Sequence, residues 1–245
     1  MGCSMSVQDK HQGTFIFNGV NSEDFGVWIK GSGAYNAPER RYESIEIPGR
    51  NGSLTLDGGA FREIEHTYPA FIYKEFDANI TGLRNALLAA PGYHRLEDSY
   101  HSDEYYLARY MDGLSADVFP LAVAGEFDLK FIRDPRRFLK SGDMAVTVTS
   151  GKHIDNPTLF PAKPLIRVTG YGTLTIGSQQ VVIAQHFTYV DIDCEMMDCY
   201  SGTSNANSYV TMQGNYFPEL PPGRTGITYS GNITKVEITP RWWRV

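Results

Sequence analysis

The sequence predicts a mainly β protein in two parts, the first carrying one helix and the second forming a β-sandwich. Three observations predict it. Turn-formers and aromatics are abundant, with 24 Gly, 15 Tyr and 13 Phe in 245 residues, a mix that favours strands joined by tight turns. Apolar residues alternate with polar ones in many short stretches, the period-two signature of half-buried strands. A helical apolar period is convincing only once, in the first half of the chain.

The elements follow in order. Phe15 and Phe17 share a face if extended, and Asn18-Gly19 ends that strand. Ile45 and Ile47 alternate with charged residues ahead of the turn Pro48-Gly49-Arg50-Asn51-Gly52. Leu54 and Leu56 share a strand face beyond it, and Asp57-Gly58 predicts a further hairpin turn. Arg62, Ile64, His66 and Tyr68 then alternate against Phe61, Glu63, Glu65 and Thr67, a half-polar strand rather than a buried one. The helix comes next: Asp77 as its cap, Ile80, Leu83, Leu87 and Leu88 as one apolar stripe, and Ala90-Pro91-Gly92 as its stop. Standing among strands, it is expected to cover one opening or face of a sheet.

Phe127, Leu129 and Phe131 mark a strand that is expected to break at Asp134-Pro135. Alternation resumes with Val146 and Val148. These features place a first domain over residues 1–133, a linker over 134–143 and a second domain over 144–245. The second domain reads as short strands divided by turns with no helix, the pattern of a β-sandwich.

Composition excludes several function classes. The formal net charge of −6 is opposite in sign to that of a general nucleic-acid binder. The densest basic cluster, Arg133, Arg136, Arg137 and Lys140 around Asp134, reads as a solvated connection. Three cysteines, Cys3, Cys194 and Cys199, are too few and too odd in number for a disulfide framework or a zinc site. A bridge between Cys194 and Cys199 across a hairpin is conceivable, but free thiols fit better. No apolar run reaches the roughly eighteen residues that span a bilayer. The first residues lack the apolar core of a signal peptide, although Gly2 and Ser6 match a loose myristoylation pattern.

Catalytic signatures are missing: no nucleophile elbow, phosphate loop or dinucleotide fingerprint occurs, and no enzyme activity or cofactor is expected. His94 and His101 flank Glu97 and Asp98, a group read as a polar loop bonded to backbone rather than a metal site. Asp191, Asp193 and Glu195 alternate on one strand and are read as a solvated edge rather than a calcium site. Tyr216, Phe217, Trp242 and Trp243 are the aromatics of note. They suit sugar stacking, a core edge or a subunit interface, and adjacent tryptophans on a strand face opposite ways, so at most one is core.

The order of these landmarks resembles the distal tail protein (Dit) family of long-tailed, non-contractile phages, especially those infecting Gram-positive bacteria. The matching stretches are FNGVNSEDFGVWI from Phe17, IPGRNGSL from Ile47, APGYHRLED from Ala90, YYLARYMDGL from Tyr105 and GEFDLKFIRDPRRFL from Gly125. The second half adds FPAKPLIRVTGYGTLTI from Phe160, VDIDCE from Val190, GNYFPELPPG from Gly214 and ITPRWW from Ile238. The resemblance implies an N-terminal split-barrel-like β domain with one helix and a protruding hairpin, followed by a galectin-like β-sandwich. It also implies a ring of six copies at the end of the phage tail. That ring would be a structural virion hub between the tail tube protein and the tail-associated tip protein, with receptor-binding proteins at its periphery. DNA would pass through its centre unread, with no membrane insertion, and the protein would be made and assembled in the bacterial host cytoplasm.

The resemblance gives the turn-rich hairpin a purpose. A ring needs a head-to-tail contact that closes after a fixed rotation, and paired strands laid on a neighbour supply one without special side chains. The ring-interface residues expected here are Ile45, Ile47, Pro48, Gly49, Arg50, Asn51, Gly52, Leu54 and Leu56. The chain has no room for the carbohydrate-binding insertion of some relatives. The runner-up function is a carbohydrate-binding β-sandwich acting in adhesion to the host cell surface. A hydrolase is weaker, because no carboxylate pair can be given acid and nucleophile roles.

Overall fold

The computed structural model describes residues 12–31, 36–110, 113, 116–118 and 124–245. Cys3 and the myristoylation pattern at Gly2 lie outside the described residues. The chain divides into two compact units between Arg137 and Phe138, with Val245 counted in the first.

The first unit is built on one antiparallel sheet. Its strands are β1 (Gln12–Gly13), β2 (Phe15–Phe17), β3 (Val20–Asn21), β4 (Val27–Lys30), β7 (Ile64–Ile72), β8 (His94–Asp98), β9 (Glu104–Tyr110), β10 (Ala116–Val118) and β11 (Gly125–Leu139). Between β4 and β7 come β5 (Arg40–Glu46) and β6 (Ser53–Phe61), which form a separate two-stranded hairpin. The spatial order of the sheet is β1-β4-β7-β11-β9-β8-β2-β3. β1 and β2 are separated by Thr14 alone, yet they sit near opposite ends of that order. The sheet must therefore curl until its two ends meet, which makes a half-barrel. Ser99 N–H donates to Thr14 O at 3.0 Å and Tyr100 Oη to Ile29 O at 3.0 Å, stitching the seam.

Period-two alternation fills the barrel. Phe127, Leu129 and Phe131 of β11 oppose Ala70, Tyr68 and His66 of β7, and all six are buried. Phe131 contacts Phe15, Phe17, Tyr68 and Tyr110 at ring-centroid distances of 5.3 to 6.0 Å. The helix α1 (Phe76–Leu88) adds Phe76, Ile80, Leu83 and Leu87 to the same core. Leu88, expected on that stripe, is exposed because it falls one position past the buried face. Asp77 lies in the first turn, where its charge suits the helix dipole, and Glu75 holds the cap position without a side-chain bond.

Two further expectations change. β7 is central and contributes His66 to the buried face, so its polar residues are not all on the wet side. The strand through residues 125–131 does not break at Asp134-Pro135 but continues to Leu139, followed by a 3-10 turn at Lys140–Gly142. Its register with β7 ends at Arg133, so Pro135 stands where a backbone donor toward β7 is no longer needed.

The second unit is a β-sandwich. One sheet has the order β12 (Val146–Thr147), β22 (Lys235–Thr239), β14 (Leu165–Thr169), β17 (Tyr189–Asp193), β18 (Asp198–Ser201), β19 (Ser204–Asn205). The other runs β13 (Lys152–Asn156), β21 (Gly223–Gly231), β15 (Gly172–Ile176), β16 (Gln179–Ile183), β20 (Val210–Met212). Ile166, Val168, Val190, Ile192, Val236 and Ile238 from the first sheet bury against Leu174, Ile176, Val181, Ile183 and Ile227 from the second. A last short strand, β23 (Trp243–Arg244), follows, and Leu139 N–H donates to Trp242 O at 2.9 Å.

Candidate assembly interface

The hairpin of β5 and β6 is paired from Glu46↔Ser53 at its tip to Arg40↔Phe61 at its base. Ile45 stands opposite Leu54, and Glu43 opposite Leu56, so one face gathers Ile45, Leu54 and Leu56. The other face is polar: Ser44 Oγ donates to Ser53 Oγ at 2.7 Å, beside Thr55, Tyr42 and Asp57. Every residue of both strands except Phe61 is exposed, and Ile45, Ile47, Leu54 and Leu56 keep 38 to 48% of their surface in water. An amphipathic ribbon with its apolar side bare is uncommon, because a two-stranded hairpin alone is marginal in water.

The tip is stiff. Arg50 N–H donates to Ile47 O at 3.1 Å, with Pro48 and Gly49 between them and Gly49 at φ 81°. That is a type II turn, in which proline presets the first central residue and glycine accepts the left-handed second. Arg50, Asn51 and Gly52 complete the loop back to Ser53, around a concave space of about 620 Å³. The predicted interface residues are thus brought together on one ribbon, with Ile45, Leu54 and Leu56 on its apolar face and Pro48 to Gly52 at its end.

Asp57-Gly58 does not form the expected hairpin turn but is part of a bulge inside β6. The register jumps between Arg41 and Tyr42, leaving Gly58 and Gly59 unopposed. Glycine at positive φ serves bulges as readily as turns, and sequence does not separate them. Asp57 fixes the bulge by accepting Gly59 N–H at 2.8 Å and the Arg40 guanidinium. Those two contacts, the Gly59 bond first, lower its carboxyl below the ordinary range.

Other sequence-marked residues fall elsewhere. His94 and Asp98 belong to β8 rather than a loop, and Asp98 is buried. Asp98 accepts from Tyr68 Oη at 2.7 Å, from Tyr100 and His101 N–H at 3.0 and 2.9 Å, and lies 2.9 Å from His101 Nδ1. Beside it, both ring nitrogens of His66 and the Nε and Nη1 of Arg133 have no hydrogen-bond partner among the described residues. Arg133 instead lies over the Tyr106 ring at 4.4 Å and donates to Asn36 O at 3.3 Å. Burial, then the Arg133 charge, depresses His66 to about 4. Sequence marked Asp98, His101 and Arg133 separately, but not their meeting with His66, because His66, Arg133 and the Asp98 to His101 stretch stand on different parts of the chain.

The Arg133 to Lys140 cluster is not a free basic patch. Arg133 is buried, Arg136 bonds Asp134 at 2.9 Å, and Arg137 bonds Glu104 at 2.6 Å. Asp191 and Asp193 are not a solvated edge either: β17 is flanked on both sides, and both carboxylates are buried. Asp191 binds Arg167 through two bonds of 2.6 and 2.7 Å, and Asp193 binds Arg241 through 2.7 and 2.9 Å. The arginines reach them from neighbouring segments, a pairing no local pattern encodes. Among the described residues no group of three His, Cys, Asp or Glu is arranged to hold a metal, and no helix is long and apolar enough to cross a membrane. Cys194 and Cys199 are free and buried. Trp242 is core, while Trp243 is half-buried against the same core and stacks on Phe160 at 4.5 Å.

No family model matches the chain, and no curated protein matches it by sequence. Among solved structures it is similar to the Dit (gp 19.1) protein of phage SPP1, described as a paradigm of the hub adsorption apparatus in phages infecting Gram-positive bacteria. The likeness has a TM-score of 0.70 at 15% identity and covers 95% of this chain and 99% of that one. Curled half-barrel, exposed hairpin and sandwich together therefore give this chain the fold of a phage distal tail protein.

Proposed function

We propose that the chain is a structural protein of a phage tail, a hub whose copies close into a ring of six between the tail tube and the tip. The role is one of assembly, without catalysis. The observation that carries this reading is the bare apolar face of Ile45, Leu54 and Leu56 on a hairpin with a stiff tip. A head-to-tail ring needs a patch that fits a different patch on the next copy, and a projecting ribbon offers one. The likeness to the SPP1 hub protein supports the same reading. Tail tube protein, tail-associated tip protein and receptor-binding proteins are the partners proposed for its two faces and rim, in the virion tail.

The test is native mass spectrometry with negative-stain imaging of the purified chain. A closed ring of six is expected, and deletion of residues 48–52 should break it into smaller species. A monomer at every concentration overturns the ring, and a ring unchanged by the deletion overturns the hairpin's part in it.

A further inference from the structure

Tyr216 is the most exposed aromatic among the described residues. Trp242 is core, Trp243 is stacked, and Phe217 packs against the sandwich core, but Tyr216 keeps 75% of its surface in water. It stands on the wall of a cleft of about 510 Å³, within the range of small-ligand sites. Around it are Lys163, Ser178, Gln179, Met197 and Glu219. The cleft is framed by the turns joining β15 to β16 and β17 to β18, and by the segment after β20.

Both rims are held in place by buried or bonded groups. The Gln179 amide donates to Gln213 O at 2.7 Å and Tyr216 O at 2.6 Å, pinning the segment that carries the ring. Across the cleft, Asp193 accepts the N–H groups of Glu195 and Met196, each at 3.1 Å, while Arg241 grips it from behind. Each rim also contains a left-handed residue that is not glycine, Asn215 at φ 61° and Met197 at φ 54°. Such residues are uncommon, a long side chain like Met197 especially, and they collect at binding sites where the surroundings enforce them. The Tyr216 ring lies so close to Gly214 that an added Cβ there would meet it at 3.1 Å. The backbone of both rims is therefore held by bonds within the chain.

We infer that this cleft is a saccharide-binding site in which Tyr216 stacks on the apolar face of a sugar ring. The chemistry around the ring fits hydroxyl groups, which both give and accept hydrogen bonds. Lys163 donates, Glu219 and the Gln179 carbonyl accept, and Ser178 does either. A peptide bound by strand addition needs an open strand edge, and these walls are made of turns. The residues that line the site belong wholly to the second unit, whereas the hairpin belongs to the first.

Saturation-transfer NMR on the full chain tests this with chitotetraose, maltotetraose and a Gram-positive wall polysaccharide as probes. Transfer to at least one of them is expected. Tyr216→Ala should weaken that binding about tenfold, the worth of one aromatic stack, while Tyr216→Phe should keep it. Both variants should melt with the parent, since the ring is outside the core. Silence from all three probes overturns the proposal. Binding that survives Tyr216→Ala in a folded protein overturns this cleft as its place. Neither result bears on the ring, which is read separately by mass.

Discussion

Ile45 and Leu54 face each other across the hairpin and are both exposed, an apolar pair set outside either core of its own chain. Replacing either with Asp should leave the melting temperature of the subunit nearly unchanged, because surface changes of this kind cost within about 0.5 kcal/mol. In the proposed ring the same change would place a charge in a dry contact, and it should abolish that ring in native mass spectrometry. A charge tolerated in an intact ring would remove this face from the interface.

His66 should make the first unit sensitive to acid. Its folded value of about 4 lies below the ordinary 6.5, so the native state binds fewer protons than the unfolded chain. The stability associated with its neutral form is complete above pH 6.5 and is lost as pH falls toward 4. Across that window the loss is on the order of 3 kcal/mol. The groups around it are Arg133, Asp98 and His101, with Tyr68 packed 4.3 Å from its ring. His66→Phe should flatten the fall in melting temperature between pH 6.5 and 4. An equal fall in both proteins would assign the acid sensitivity elsewhere.

Asp193 and Arg241 form a bidentate pair at the end of β17, with the carboxylate almost fully buried. Burial acts to raise the Asp193 carboxyl, but the Arg241 bond, the Met196 and Glu195 N–H groups and the arginine's charge outweigh it and lower it. Removing Arg241 as Ala should therefore cost about 2–4 kcal/mol at neutral pH, since it strands a buried charge. Asp193 contributes above its unfolded value near 3.9, and that contribution is lost as pH falls through its lowered folded value. The penalty, measured by urea unfolding, should shrink at the acid end of that window.

Cys194 and Cys199 should resist alkylation in the folded protein. Both are buried, and burial pushes both thiols up, Cys199 to about 12. Thiolate is the reacting form, so iodoacetamide at pH 8 should modify them only after denaturant is added. Peptide mass spectrometry with and without urea reads this directly.

Much of the fold was legible because strand and helix periods are local. Phe15 and Phe17, Phe127 to Phe131, and Ile80 to Leu87 declare their buried faces by spacing alone. The hairpin was legible for the same reason: Pro48-Gly49 encodes its own turn. The bulge at Gly58-Gly59 was misread because positive φ at glycine is shared by two structures. The continuation of β11 past Pro135 was misread because whether a strand needs that missing N–H depends on its neighbours.

Sequence by itself determined the class of the molecule: short alternating strands, one amphipathic helix, an acidic surface and a hairpin without chemistry. Tertiary structure decided which polar residues are dry. It drew His66 and Arg133 into the barrel, closed Asp191 and Asp193 onto arginines from neighbouring segments, and left Tyr216 alone in water above a fixed cleft. The reason is physical. Periodicity fixes the side of a strand on which a residue stands, whereas burial and pairing depend on what the rest of the chain brings against that side.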